Sequence, residues 1–247
     1  VELTIIGCSS ASGNPGEAQS GYLLDVPEGR ILLDCGAGIA ERIRAADTAP
    51  GAIVVSDLHP DHFIDVLPMA FAILDGSLAW RPTVWLPPGG RVVLDDILRA
   101  LGWRLHILER AMPIREYRTA APLELFGVSL RFARARHSAH SYLLRAAAAG
   151  RTLVYTGDTA PDPAIREHAE GADLFLCEAT LLEEGDDGSP ERVHLTVAEA
   201  ATIARDAGVG RLVLTHTRAP LRAVSGDVAR AIFPATDAAQ PGAVFTV

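Results

Sequence analysis

The stretch VVSDLHPDHFID, Val54 to Asp65, places two histidines and three aspartates directly after an apolar run. Carboxylate oxygen and neutral imidazole nitrogen are the donors that suit zinc, iron or manganese. If Asp57 to His59 prolong the preceding strand, side chains two apart share a side, so Asp57 and His59 face one ion. Pro60 then turns the chain into a helix, which aims Asp61 and His62 elsewhere, towards a second ion. Three further candidates each follow a strand-like run: His137 after RFARAR, Asp158 in VYTGDT and His216 in LVLTHTRAP. Gly157 allows a tight backbone turn just before Asp158. Side chains on loops at strand ends, held by a rigid sheet, are a common way to gather a site from distant parts of a chain.

Those loops need strands behind them. Apolar runs of strand length recur at Leu3–Ile6, Tyr22–Val26, Ile31–Leu33, Ala52–Val55, Thr83–Leu86, Val128–Ala133, Tyr142–Arg145, Thr152–Tyr155, Leu174–Cys177 and Arg211–Leu214. Helical patterns cover Phe63–Leu74, where Pro68 predicts a kink, amphipathic Arg91–Leu101, Thr196–Ala207 and, more weakly, Ala219–Phe233. Thr196 stands three residues before Glu199, the spacing of a capping box. Hairpin-like strand pairs dominate each half without regular βαβ alternation, which disfavours a simple doubly wound parallel sheet. The polar stretch Glu183–Arg192 reads as a surface loop. No linker divides the chain, so residues 1–247 are expected to form one domain of two sheets with helices outside.

Composition narrows the function classes. The 247 residues are 49% hydrophobic, enough for a substantial core, yet charge or proline breaks every long apolar run. No segment resembles a membrane span of roughly 20 residues. The opening VELTIIG reads as a strand and not as a leader, and the expectation is a soluble, cytoplasmic protein. A net charge of −9, without a basic run and with arginine as the sole cation besides histidine, argues against a nucleic-acid surface. Cys8, Cys35 and Cys177 are widely spaced beside apolar residues and read as buried reduced thiols.

Taken in order, DLHPDH, RHSAHSYLLR, TGDT and LTHTRAP resemble the metallo-β-lactamase superfamily, and within it the small proteins similar to ribonuclease Z. The pattern there is His-x-His-x-Asp-His, a later His, Gly-Asp-Thr and a late Thr-His. LTIIGCSSASGNP, ILLDCGAG, TVWLPPGG, DLFLCEATL and HLTVAEAATIARDAGVGRLVLTH carry the likeness along almost the whole chain. The resemblance implies an α/β fold, the αββα sandwich: two mixed β-sheets, helices on the outer faces and two metal ions, zinc above all, in a cleft at one edge. It implies that His59, His137 and position 57 hold the first ion, that Asp61, His62 and His216 hold the second, and that Asp158 bridges them. Asp34 corresponds to a carboxylate that supports a metal-binding histidine from behind, fixing its tautomer. His194 sits where ribonuclease Z-like enzymes keep a histidine near the leaving group. A homodimer is compatible with the resemblance.

Two departures stand out. The SYLLR strand and the next begin about ten residues apart, which leaves no room for a long tRNA-clamping arm; with the acidic charge, this argues against tRNA as substrate and makes a small molecule the expected one. Position 57 holds aspartate where the family pattern has histidine. Two divalent ions bring +4, while Asp57, Asp61, Asp158 and one bridging hydroxide bring −4. The centre is then near neutral, its first ion sits among harder ligands that let manganese or iron compete with zinc, and its pull on an anionic phosphate weakens. Asp57 alternatively hydrogen-bonds a ligand and leaves one ion at the second site.

The expected activity is hydrolysis by a metal-bound hydroxide, with Asp61 orienting the nucleophile or taking its proton and His194 protonating the leaving group. A phosphodiester or related small ester is favoured. Carboxylic ester, thioester or lactone hydrolysis, a biosynthetic or iron-dependent reaction on the same scaffold, and a non-catalytic binding protein with a partial site remain open. No Gly-x-Ser-x-Gly motif supports a serine nucleophile, and the GAG at Gly36–Gly38 lacks the full dinucleotide fingerprint. His140 either enters the cleft or is an ordinary strand residue. His106, in an apparent strand, and His168, in an apparent helix, carry no assigned role. Trp80 and Tyr117 line a substrate channel or pack in the core.

Overall fold

The computed structural model describes residues 1–137, 140–185 and 191–247. One sheet contains β1 (Glu2–Gly7), β2 (Gly21–Val26), β3 (Gly29–Leu33), β4 (Ala52–Val54), β5 (Thr83–Leu86) and β6 (Ile114–Glu116). The other is built from β7 (Leu123–Leu125), β8 (Val128–Arg134), β9 (Tyr142–Ala148), β10 (Arg151–Tyr155), β11 (Leu174–Glu178), β12 (Arg211–Thr215) and β13 (Thr236–Ala238). The last strand, β14 (Val244–Thr246), returns to pair with β1.

Both sheets are mixed, and both follow the same plan. In the first, β1, β2 and β3 form an antiparallel meander, and β3 through β6 run parallel. In the second, β7 through β10 are antiparallel and β10 through β13 parallel. The parallel portions require crossovers, and helices supply most of them. These are α1 (Ile39–Ala45), α2 (Pro60–Phe63), α3 (Val66–Leu74), α4 (Gly90–Ala100) and α5 (Leu105–Ala111) over the first sheet. Over the second lie α6 (Pro163–Ala169), α7 (Val197–Asp206) and α8 (Arg222–Ile232).

Period-two patterning sorts the apolar side chains into three layers. Leu3, Ile5, Tyr22 and Leu24 meet Leu130, Phe132, Leu144 and Tyr155 between the sheets. Leu23, Leu32 and Ile53 face Ile43, Val66, Ala70 and Leu94 on the first helical layer. Val154, Phe175 and Leu214 face Ile165, Ala200, Ala204 and Ala229 on the second. The expected sandwich of two mixed sheets between helices is the observed one. All three cysteines are buried and free. Tyr117 packs in the central layer, stacked on Phe132 at 3.7 Å between ring centroids, with its hydroxyl donating to the Val55 carbonyl at 3.0 Å. Trp80 packs against the first helical layer.

Local details differ from the sequence reading in instructive ways. The segment Phe63–Leu74 is not one helix kinked at Pro68. It breaks at Ile64–Asp65, and Pro68 occupies the third position of α3, where its missing N–H has no intrahelical role to fill. His106 belongs to α5, not to a strand, whereas His168 does lie in a helix, α6. The capping box is present: Glu199 N–H donates to Thr196 Oγ1, and Thr196 N–H donates to the Glu199 carboxylate. β9 and β10 join through Ala149 and Gly150, both at positive φ, as a tight two-residue hairpin demands, so no arm is inserted there. Of the polar loop Glu183–Arg192, residues 186–190 lie outside the described residues. Among the described residues, no helix is long and apolar enough to cross a membrane.

One close approach ties this scaffold to the site. A Cβ placed on Gly36 would lie 2.0 Å from the carbonyl oxygen of Asp61, which also accepts a hydrogen bond from Ser20 N–H at 3.2 Å. Only glycine lets the turn after β3 seat the strand-to-helix loop. Gly36→Ala should therefore cost about 1–3 kcal/mol, as an overpacked core site does, and should displace Asp61. Thermal unfolding and metal content measured on the same preparation test this; wild-type values for both would show that the backbone moves aside freely.

Candidate metal centre

The parallel strands of both sheets end at one edge, and the candidate residues follow those ends. Asp34 follows β3, Asp57 follows β4, Asp158 follows β10 and His216 follows β12. This is the edge at which open α/β sheets bind ligands. His59 keeps an extended backbone and caps α2, with Pro60 at the first helical position, so Asp57 and His59 precede the turn while Asp61 and His62 ride on the helix. Gly157 takes φ 56°, the left-handed turn foreseen for it. His216 is itself left-handed at φ 57°, which a non-glycine residue adopts at some strain.

The seven candidate ligands form two groups that share Asp158. Asp57, His59, His137 and Asp158 place donor atoms within 4.8 Å of one another, and so do Asp61, His62, Asp158 and His216. In the first group His137 Nε2 lies 3.1 Å from His59 Nδ1 and 3.5 Å from Asp57 Oδ2. In the second, His62 Nε2 is 3.3 Å from Asp158 Oδ2, and His216 Nε2 is 3.1 Å from Asp61 Oδ2. A tetrahedral ion with bonds of 2.0–2.1 Å has ligand-to-ligand edges of about 3.3–3.4 Å. The spacing therefore fits ions of that size.

Unmet hydrogen-bonding capacity points the same way. Asp57 Oδ2, His62 Nε2 and Asp158 Oδ1 are buried side-chain atoms with no hydrogen-bond partner, and all three belong to these groups. Leaving a buried polar atom unpaired costs about 1–3 kcal/mol, so three together in one place make sense when a cation satisfies them. The imidazoles are held with one nitrogen turned inward. His62 Nδ1 lies 2.8 Å from Asp34 Oδ2, and His137 Nδ1 lies 3.0 Å from the carbonyl of Val193. Donation from each Nδ1 leaves the Nε2 lone pair free for a metal. Asp34, fully buried, also accepts from Ser56 N–H, the Ser56 hydroxyl and Tyr155 at 2.6–2.7 Å. It thus meets His62 at the ring nitrogen that faces away from Asp158. Asp57 directs Oδ1 to the His59 N–H at 2.8 Å, which leaves Oδ2 for the first group.

Charges reinforce one another across the two groups. Burial works against the charge of Asp158, yet His216 and His62 hold its carboxyl well below the usual carboxylate range. Burial likewise opposes ionisation of Asp61, and the hydrogen bond from His216 more than offsets it. For Asp57 the same opposition from burial is overcome by His59 and His62. His62 is the counterpart: burial opposes its protonation, but Asp158 and Asp34 on either side raise its pKa well above the ordinary imidazole value.

A third group was only half visible in the sequence. Glu178, the last residue of β11, joins His194 and His216, with its Oε1 3.0 Å from His194 Nδ1. Its other oxygen accepts from the Thr180 hydroxyl at 2.7 Å, and that hydroxyl lies 2.8 Å from His216 Nδ1. Glu178 was not singled out from the sequence. The signal was there, since a carboxylate ending the fully buried strand LFLCE must find partners. His140 takes no part: it is exposed and precedes β9 without belonging to it.

Comparisons with known proteins agree with this arrangement. The family described as the β-lactamase superfamily domain matches residues 29–217. A Mycobacterium leprae protein, ML1173, is 32% identical over 87% of this chain and 77% of its own length. The probable metallo-hydrolase YhfI of Bacillus subtilis is 29% identical over 87% of this chain and 86% of its own. Its crystal structure superposes with a TM-score of 0.84 at 24% identity, covering 99% of this chain and 98% of that one. Ribonuclease Z of Mycobacterium marinum is 29% identical over 87% of this chain and 86% of its own.

Two outcomes follow from the shared carboxylate and from the raised pKa of His62. Asp158→Asn should lower metal content at both sites, whereas His216→Ala should lower it at one, as read by elemental analysis of the purified proteins. Retention of both ions by Asp158→Asn would contradict a bridge. Because an incoming cation must displace the His62 proton, metal binding should release protons and tighten as pH rises. Calorimetry in buffers of different ionisation enthalpy measures that release.

Proposed function

Since the chain belongs to the metallo-β-lactamase superfamily and is a metallo-hydrolase of that kind, we propose that it cleaves a small phosphodiester or related phosphate ester. The observation that carries this reading is the placement of the Glu178–His194 pair beside two ligand groups joined through Asp158. The likeness to a protein named ribonuclease Z supports phosphorus over carbon as the electrophile.

Asp57, His59, His137 and Asp158 would hold one ion, and Asp61, His62, Asp158 and His216 the other. Bound there, divalent ions supply Lewis acidity and acidify water, so that a nucleophile exists near neutral pH. The chain's own residues do the rest. Asp61 holds the proton released by the nucleophile. His194 carries the proton needed by the departing oxygen, with its Nδ1–H donating to Glu178. The buried Glu178 carboxylate stabilises that imidazolium and fixes the ring. Thr180 links Glu178 to His216, which keeps the acid in register with the second group.

The buried Oδ2 of Asp57 favours a second reading, a carboxylic ester or thioester hydrolase, because it adds negative charge where the family pattern has histidine. A single panel separates the two: bis(4-nitrophenyl) phosphate against 4-nitrophenyl acetate, each assayed with zinc, manganese and iron. Turnover of the acetate alone would reject the phosphodiester reading. With an alkyl phosphodiester added to the panel, His194→Ala should lower kcat by about 10²–10⁴-fold for that poorly leaving alkoxide, the usual worth of a general acid, and far less for nitrophenolate, which departs without a proton. An equal loss on both leaving groups would remove His194 from the acid role. Asp57→His, compared with wild type by metal analysis, should shift preference towards zinc; an unchanged preference would mean that Asp57 does not bind metal.

A further inference from the structure

Beside the second ligand group lies a cavity of about 320 Å³, walled by Ser10, Ser12, Thr180, His194, His216 and Arg218. Among the described residues, no carboxylate stands in its wall. Arg218 is exposed, and among the described residues its guanidinium has no ion-pair partner, whereas nearby Arg222 gives both terminal nitrogens to Glu17. In a chain of net charge −9, a free guanidinium over a cavity that also offers two serine hydroxyls is a concentration of anion-binding groups.

The two walls of this cavity are fastened together from behind. Ser10 and Ser12 belong to the loop after β1, and Arg218 to the segment after β12. Asn14, nearly buried, bridges the two: its Nδ2 donates to the Thr217 carbonyl at 3.2 Å, and its Oδ1 accepts from Ala219 N–H at 2.9 Å. The same Nδ2 donates to Glu17 at 2.9 Å. Glu17 receives both terminal nitrogens of Arg222, at 2.9 and 2.6 Å. The clamp fixes Thr217, the residue between His216 and Arg218, and so sets the backbone from which Arg218 projects. Ser10 Oγ lies 3.3 Å from Ser12 Oγ, which keeps the two hydroxyls side by side.

We infer that this cavity binds an oxyanion, phosphate or carboxylate, carried by the departing portion of the substrate, with Arg218 as the specificity-determining residue and Ser10 and Ser12 as its neutral partners. The inference rests on the hydrolase reading above, in which His194, a wall of this same cavity, serves the departing oxygen. A leaving portion seated against His194 brings its far end towards Arg218. With three aspartates offsetting the charge of the ions, attraction for a second anionic group comes from this guanidinium.

The test compares 4-carboxyphenyl methyl phosphate with 4-carbamoylphenyl methyl phosphate, which differ in the charge of the leaving portion. Arg218→Gln should raise KM for the carboxylate about tenfold, the scale of one charge-assisted bidentate contact at an exposed site, while KM for the amide stays within about twofold and kcat changes little. Arg218→Lys should recover part of the loss. Arg166→Gln, on α6 and away from this cavity, should change neither KM. Equal shifts on both substrates, or none on either, would overturn the subsite. If the wild-type protein hydrolyses neither ester, the phosphate-ester reading fails, and the subsite is read separately by calorimetry on the metal-loaded protein. There a preference for 4-hydroxybenzoate over 4-hydroxybenzamide that vanishes in Arg218→Gln supports it, and no preference refutes it.

Discussion

Three carboxylates, those of Asp57, Asp61 and Asp158, are buried close together at the edge where the two sheets meet. Each raises the cost of ionising its neighbours, and burial raises it again. In water such a cluster would simply hold protons. Here four imidazoles are interleaved with the carboxylates, and the histidines pull Asp158 far enough down to stay ionised. The result is a set of donors that satisfy one another only in part, with the remaining lone pairs aimed at two points in space. A cation at each point relieves the repulsion, and the rest of the architecture can be understood as the means of holding these groups in place against it.

The scaffold achieves this by drawing each ligand from a different strand end. His62 is fixed through Asp34, which in turn takes hydrogen bonds from Ser56 on one sheet's edge and Tyr155 on the other's. That single carboxylate therefore ties the two sheets together directly behind the second group. Its left-handed backbone, φ 61°, is the conformational cost of pointing it inward. The tight passage of Gly36 beneath the Asp61 carbonyl serves the same end from the other side.

Much of this was legible in the amino-acid sequence because the ligands sit next to strong local signals. The strands before Asp57, Asp158 and His216 are buried on both faces and read as unbroken apolar runs. The ligand types cluster within a few residues of those ends. The strands that escaped notice, β6, β7, β13 and β14, have three residues each, too short for alternation to register. Helices α1 and α5, of seven residues each, escaped for a similar reason. Glu178 was missed because its partner His194 is distant in sequence and joined to it only by tertiary packing. His140 misled because proximity to His137 along the chain says nothing about direction once the backbone leaves the strand.

The aspartate at position 57 makes the two ligand groups alike: each now offers two imidazoles and two carboxylates, with Asp158 counted in both. Equal ligand sets remove the asymmetry that an extra histidine would create, and the electrostatic field of the centre falls with it. A centre close to neutrality still polarises what it touches, because Lewis acidity is a short-range property of the ion. What it loses is reach, the ability to attract an anion from several ångströms away. Substrate capture by such a centre would then draw on cations placed outside the ligand groups; Arg218, without an ion pair among the described residues, lines the cavity beside His216. Chemistry and attraction are thereby separated onto different residues, so either can change without dismantling the other.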